Sequence, residues 1–347
     1  MTYFASFFRN AKSALLFCAL VLGLGACQKE TFTNELTSLP TPTNGLGADD
    51  RSGNTIVDIA VGNPAFSTLV AAVLKTKSAG LLSRANLNAT VFAPTNDAFA
   101  QLPEPFNSAA SINTITDLQQ INLLGQILKY HVAPGSRNAA QLTNGSYPTL
   151  RTAFTPQNHL IYVGRSAAGS VFINGNTQVV TADVQASNGI IHVINRVLMP
   201  PSQSIAQIAI ANGNFTALVA ALGKTGLTNT FFEPTNNLTV FAPLDAAFAQ
   251  LPAPLNNAAN IKGIKDPATI ETLRNVLLYH VLAGRVFSAD LREGIQPATL
   301  LGNTIGITLA GGPKVKGSGN PAAANIAATD ILGINGVIHV IDRVLLP

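Results

Sequence analysis

Read for apolar and polar positions alone, this chain sets out one arrangement of elements and then repeats it. A hydroxyl residue, Thr55 and again Ser204, precedes a short apolar run and is placed to cap a helix. Apolar residues then recur at helical spacing over 65–76 and 214–224. β-Branched runs at 90–92 and 239–241 predict strands that end at Ala-Pro. Proline stops the ladder there, and Thr95 or Asp245 is placed to cap the next short helix. A longer amphipathic helix, 117–130 and 267–279, finishes on Tyr-His. Short strands with Gly/Asn turns follow, and each arrangement closes on an apolar run: NGIIHVINRVLMP at 188–200, NGVIHVIDRVLLP at 335–347. Such runs fit a strand buried on both faces and entered through an Asn-Gly turn.

The duplication extends through the intervening sequence. TVFAPTNDAFAQLP at 90–103 returns as TVFAPLDAAFAQLP at 239–252, and FSTLVAAV at 66–73 as FTALVAAL at 215–222. ILKYHVAPG at 127–135 returns as LLYHVLAG at 277–284. A repeat of this length is too long for a solenoid unit, so the pattern predicts two whole domains, 53–200 and 202–347, meeting at Pro200-Pro201. Leu244 and Ala246 replace Thr95 and Asp97, so the second copy is expected to cap its short helix differently.

The N-terminus has a different character. Arg9 and Lys12 precede an apolar stretch, 13–22, of signal-peptide length, which closes on Leu24-Gly25-Ala26-Cys27. That ending resembles the lipobox of bacterial lipoproteins. The resemblance implies a signal peptide over 1–26, a lipid-modified Cys27, and a membrane partner reached through that anchor. Residues 27–52, rich in Thr, Pro, Asn and Gly, read as a flexible tether. Gln28-Lys29-Glu30 resembles a signal that sends some lipoproteins to the outer face of the outer membrane. The expected location is therefore the cell surface, with the periplasmic face as the alternative.

Composition narrows the function classes. The only two cysteines, Cys18 and Cys27, lie in this N-terminal region, which excludes a disulfide or a cysteine zinc site in the repeats. Without Arg9 and Lys12 the chain carries 19 basic against 17 acidic side chains and no basic stripe, which argues against nucleic acid. Four of the five histidines are duplicated: His131 with His280 at a helix end, and His192 with His339 on the closing strand. No HxxxH or HExxH spacing accompanies them. They are expected to be structural, with His131 and His280 satisfying terminal carbonyls and complementing the helix dipole. His159 has no counterpart and is expected at the surface. Gly223-Lys224-Thr225 lacks the first glycine of a phosphate loop, and no duplicated pair of acids suggests a hydrolase. Neither catalytic residues nor a metal or cofactor site is predicted.

The set TVFAPTNDAF, LKYHV and NGIIHVINRVL, matched in the second copy, resembles the fasciclin-like (FAS1) domains over 53–347. That resemblance implies an α+β fold, a wedge of two β-sheets with helices packed around it, twice in tandem. It also implies a non-catalytic adhesion protein that recognises extracellular polysaccharide, matrix or a partner protein. A periplasm-facing structural lipoprotein is the alternative, and a surface glycan-acting enzyme the remote one. In animal members integrins recognise an Asp-Ile before the last strand together with the Tyr-His region. The matching residues here are Asp183 with Tyr130 and His131, and Asp330-Ile331 with Tyr279 and His280. The competing reading makes both aspartates turn residues bonded to local backbone. Two copies would offer avidity, with specificity carried by the unmatched segments 136–158 and 285–300.

Overall fold

The computed structural model describes residues 54–152 and 157–347. The signal peptide, Cys27 and the tether lie outside the described residues. Each repeat opens where a hydroxyl was expected to cap. Thr55 accepts from the Asp58 N–H while the Asp58 carboxylate accepts from the Thr55 N–H, and Ser204 and Gln207 do the same. These reciprocal boxes satisfy N–H groups that the first helical turn leaves unpaired. The long helices run Leu118–Tyr130 and Pro267–Tyr279, each capped by an aspartate, Asp117 or Asp266. No helix among the described residues is long and apolar enough to cross a membrane.

The first repeat contributes β1 (Ala89–Pro94), β2 (Val132–Pro134), β3 (Gly145–Pro148), β4 (Leu160–Arg165), β5 (Val171–Ile173), β6 (Thr177–Ala186) and β7 (Gly189–Ile194). They pair in the order β2-β1-β7-β6-β5-β4-β3. The second contributes β8 (Leu238–Pro243), β9 (Val281–Ala283), β10 (Gly306–Thr308), β11 (Lys314–Lys316), β12 (Ala324–Gly333) and β13 (Gly336–Ile341), in the order β10-β11-β12-β13-β8-β9. The two layers of the wedge are thus two arms of one bent sheet. Register shifts in β6 and β12 make the bend, as bulges do. The closing apolar runs are the central strands, β7 and β13, each parallel to the first strand of its repeat.

Alternation along β1 serves two cores. Val91 and Ala93 face the helices with Phe99, Ile112, Leu124 and Ile127, while Phe92 faces the inside of the bend with Tyr130, Ile161, Ile173 and Ile194. Val240, Ala242 and Phe241 repeat the division in β8. The Asn-Gly signature has a packing reason. A Cβ on Gly189 would lie 2.3 Å from the Ala89 carbonyl oxygen, and one on Gly336 2.2 Å from that of Leu238. The preceding asparagines are more than turn formers. Asn188 accepts from the Ile56 N–H and donates to the Leu82 and Arg84 carbonyls, and Asn335 makes the matching bonds to Ile205, Phe231 and Glu233. Each asparagine pins the first helix to the central strand.

One expected cap falls elsewhere. Thr95 caps its short helix, but Asp245 does not cap Asp245–Phe248. Its carboxylate accepts from the N–H groups of Thr216 and Ala217, at the start of the helix 29 residues earlier, as Asn96 does for Thr68. Asp245 stands one residue past the N-cap, which is Leu244, so its carboxylate reaches the longer helix as Asn96 does in the first repeat.

Candidate binding site

The duplicated histidines all turn inward. In His131, Nδ1 lies 2.8 Å from the Ile127 carbonyl and Nε2 accepts the Leu198 N–H at 2.9 Å. His280 repeats this with Val276 and Leu345. These partners place the proton on Nδ1 of a neutral ring. Burial pushes both pKa values down to about 4, outweighing the carbonyl that favours the cation. The expected dipole role is therefore corrected: the ring satisfies a terminal carbonyl but carries no charge to complement the helix.

His192 and His339 use the opposite tautomer. Nε2 donates to the Arg137 or Val286 carbonyl, and Nδ1 accepts from the Asp183 or Asp330 N–H. Burial again lowers both pKa values, against a nearby aspartate and carbonyl that raise them. Their rings also stack on Phe92 and Phe241, 5.7 and 5.5 Å between centroids. Among the described residues no group of His, Asp or Glu side chains is arranged to hold a metal ion. His159, expected at the surface, is half-buried.

The residues matched to the recognition motif separate into inside and outside. Tyr130, His131, Tyr279 and His280 are all buried. Tyr130 donates to the Leu160 carbonyl and Tyr279 to that of Thr304, so these four side chains hold the fold and face no partner. Asp183 and Asp330 sit at the bulges of β6 and β12, with φ of 63° and 62°. Their carboxylates are not bonded to local backbone. Asp183 accepts from the Ala139 N–H, and Asp330 from the N–H and hydroxyl of Ser288, more than 40 residues away in each case.

The two aspartates nevertheless differ in access. The Asp183 side chain is 43% exposed, whereas Asp330 is 4% exposed. The first repeat covers it: a Cβ on Gly175, in the β5–β6 turn, would lie 2.5 Å from the Asp330 carboxyl carbon. Ile331 is half-buried. Equal sites on the two copies, as avidity would need, are not present at this position. Replacing either aspartate by alanine imposes the same left-handed backbone cost. Asp330→Ala is expected to cost about 2 kcal/mol more than Asp183→Ala, because it removes buried bonds to a carboxylate. Urea midpoints of the two variants check this, and equal losses would contradict the covered position of Asp330.

The covering contact occupies segments expected to carry specificity. Arg285 donates to the carbonyls of Gly333, Gly336 and Ile334, and to Gln157 of the first repeat at 2.8 Å. Its guanidinium lies 4.7 Å from the centre of the Tyr162 ring, which also packs on Phe287 at 5.7 Å. Gln157 donates to the Thr235 and Asn236 carbonyls, and Arg292 to that of Arg165. Asp290, packed against Gly164, has its carboxyl pKa pushed up by burial. The unmatched residues near 157 and 285–292 thus join the repeats. Their signal in the sequence was the mismatch itself, Arg285 standing where the first copy has Ser136.

Residues 64–200 and again 213–347 match the family described as Fasciclin domain. The chain belongs to the fasciclin-domain family. It is 31% identical over 258 residues to the transforming growth factor-beta-induced protein ig-h3 of Sus scrofa, covering 74% of this chain and 34% of that protein. It is 43% identical over 153 residues to protein sll1483 of a Synechocystis strain, covering 43% of this chain and 76% of that protein. A FAS1 domain pair from the insect cell adhesion molecule Fasciclin I aligns over 82% of this chain and 98% of its own, at 20% identity and a TM-score of 0.38. The chain spans about a third of the length of the ig-h3 relative.

Proposed function

We propose that this fasciclin-domain protein is a lipid-anchored, non-catalytic binding protein that adheres to extracellular polysaccharide, matrix or a partner protein at the cell surface. The carrying observation is that the duplicated histidines and the tyrosines that precede two of them are engaged inside the fold. The four paired histidines and both tyrosines have internal hydrogen-bond partners, so none is left to act as an acid, base or ligand. Membership of a family with adhesive animal members and the lipobox-like Cys27 support the rest of the reading. The exposed Asp183 face of the first repeat is the place to seek a ligand, with the second repeat as its buttress.

Protease shaving of intact cells tests the location. The native protein is expected to be membrane-bound and cut from intact cells, and Cys27→Ala to leave the membrane fraction. Protection until the cells are lysed would refute surface adhesion and support a periplasm-facing role.

A further inference from the structure

We propose that the first repeat carries a site for an arginine side chain of a partner protein, in a cleft that the second repeat fills with its own Arg285. The cleft has a volume of about 340 Å³ and is lined by Asn88, Ser136, Gln185 and the hairpin residues 186–189. The corresponding hairpin in the second repeat is 333–336, and there its function is visible. Nη1 of Arg285 donates to the Gly333 and Gly336 carbonyls at 2.9 and 2.7 Å, and Nη2 to the Ile334 carbonyl at 2.6 Å. Three carbonyls of one hairpin thus receive one planar guanidinium.

The two hairpins are built alike. Ala186 pairs with Gly189 as Gly333 pairs with Gly336, and the next two rungs also match. The Ser187 N–H donates to the Asn54 carbonyl as that of Ile334 donates to Gln203, and the buried Asn188 and Asn335 anchor both turns identically. The difference lies in the side chain facing the cleft. Position 285 is arginine and the matching position 136 is serine. The neighbouring Arg137 does not take its place, since it donates to the Pro134 and Gly135 carbonyls and lies over the Tyr147 ring. Among the described residues no carboxylate lines the cleft, so charge alone is a weak lure. The selective feature is the fixed set of acceptors, which suits the rigid donor fork of arginine better than the point charge of lysine. This gives the binding reading above a partner chemistry and rests on that reading.

The purified chain is titrated with the capped peptides Gly-Arg-Gly and Gly-Lys-Gly, following backbone amide signals by NMR. The arginine peptide is expected to shift the amides of Ser187, Asn188 and Gly189, with the lysine peptide at least tenfold weaker. Ser136→Arg, which supplies the guanidinium in cis, is expected to abolish the shifts and raise the melting temperature. Ser136→Leu, which closes the cleft without donors, abolishes them with no such rise. Equal response to both peptides, no response at the hairpin, or binding that survives Ser136→Arg overturns the proposal. Arg51 lies three residues before Asn54, so Arg51→Ala is titrated in parallel. Binding that appears only in that variant would overturn a partner's arginine as the occupant. Failure here leaves the shaving outcome on intact cells untouched, so the two readings are separable.

Discussion

Taking this protein from pH 7 to pH 4 is expected to remove about 6 kcal/mol of folding stability through His131 and His280 alone. Each ring is held neutral by burial, with a folded pKa of about 4 against 6.5 for an exposed histidine. Above pH 6.5 both folded and unfolded chains carry neutral rings, and the full stability is present. Between 6.5 and about 4 the unfolded chain takes up two protons that the folded chain refuses, so stability falls as pH falls. Below the folded pKa both states are protonated and the loss levels off. The gap is worth about 3 kcal/mol for each ring. His192 and His339 act in the same direction, since burial lowers them too. A domain is stabilised by about 5–15 kcal/mol, so mild acid removes a large part of the total.

The structural reason is specific. Protonating His131 places an N–H at Nε2, facing the Leu198 N–H that it now accepts, and His280 confronts Leu345 in the same way. Two donors then meet where a donor met an acceptor, inside the core. Urea midpoints followed by circular dichroism across this range measure the slope. His131→Gln should remove about one proton from the slope between about pH 6.5 and 5. A wild-type slope of less than one proton, or one unchanged by the substitution, would contradict two buried neutral rings.

Arg285→Ala is expected to cost about 4 kcal/mol and to split a single unfolding transition into two. Hydrogen bonds to a charged group contribute about 1.5–3 kcal/mol each, and Arg285 makes four. Water entering the emptied space recovers part of that sum. The loss reaches both repeats, because the same guanidinium bonds Gln157 and lies over Tyr162. The contacts that remain include Gln157 to residues 235–236, Arg292 to Arg165, Tyr162 on Phe287, Asp290 against Gly164 and Gly175 against Asp330. Scanning calorimetry should show the second repeat melting first. Arg285→Lys should recover less than half of the loss, since one ammonium cannot span three carbonyls and a ring face. A single transition shifted by less than about 0.5 kcal/mol would show that the repeats are joined by something else.

Most of the fold was legible because its signals are local. Thr55 and Ser204 announce helices that start at the next residue, and the closing apolar runs announce central strands through their own composition. The motif sets at 90–103 and 239–252, with their Tyr-His and Asn-Gly companions, were enough to reach the family. The structural role of the paired histidines was legible as well, from their neighbours, although their neutral state was not. That state depends on the Ile127, Val276, Leu198 and Leu345 backbone groups around two buried rings.

By itself, then, the sequence determined two α+β repeats, the caps of their first helices, their central strands and their membership of the fasciclin-domain family. Only the tertiary structure decided how the copies differ. Asp183 and Asp330 occupy matching bulges, yet Gly175 and the loop after β9 close over one and leave the other in solvent. Arg285 and Ser136 hold matching positions, yet one fills a carbonyl cradle and the other leaves it open. Periodicity and capping act over a few residues and can be read along the chain. Burial at a contact between Gln157 and Arg285, 128 residues apart, depends on where two unmatched loops meet in space.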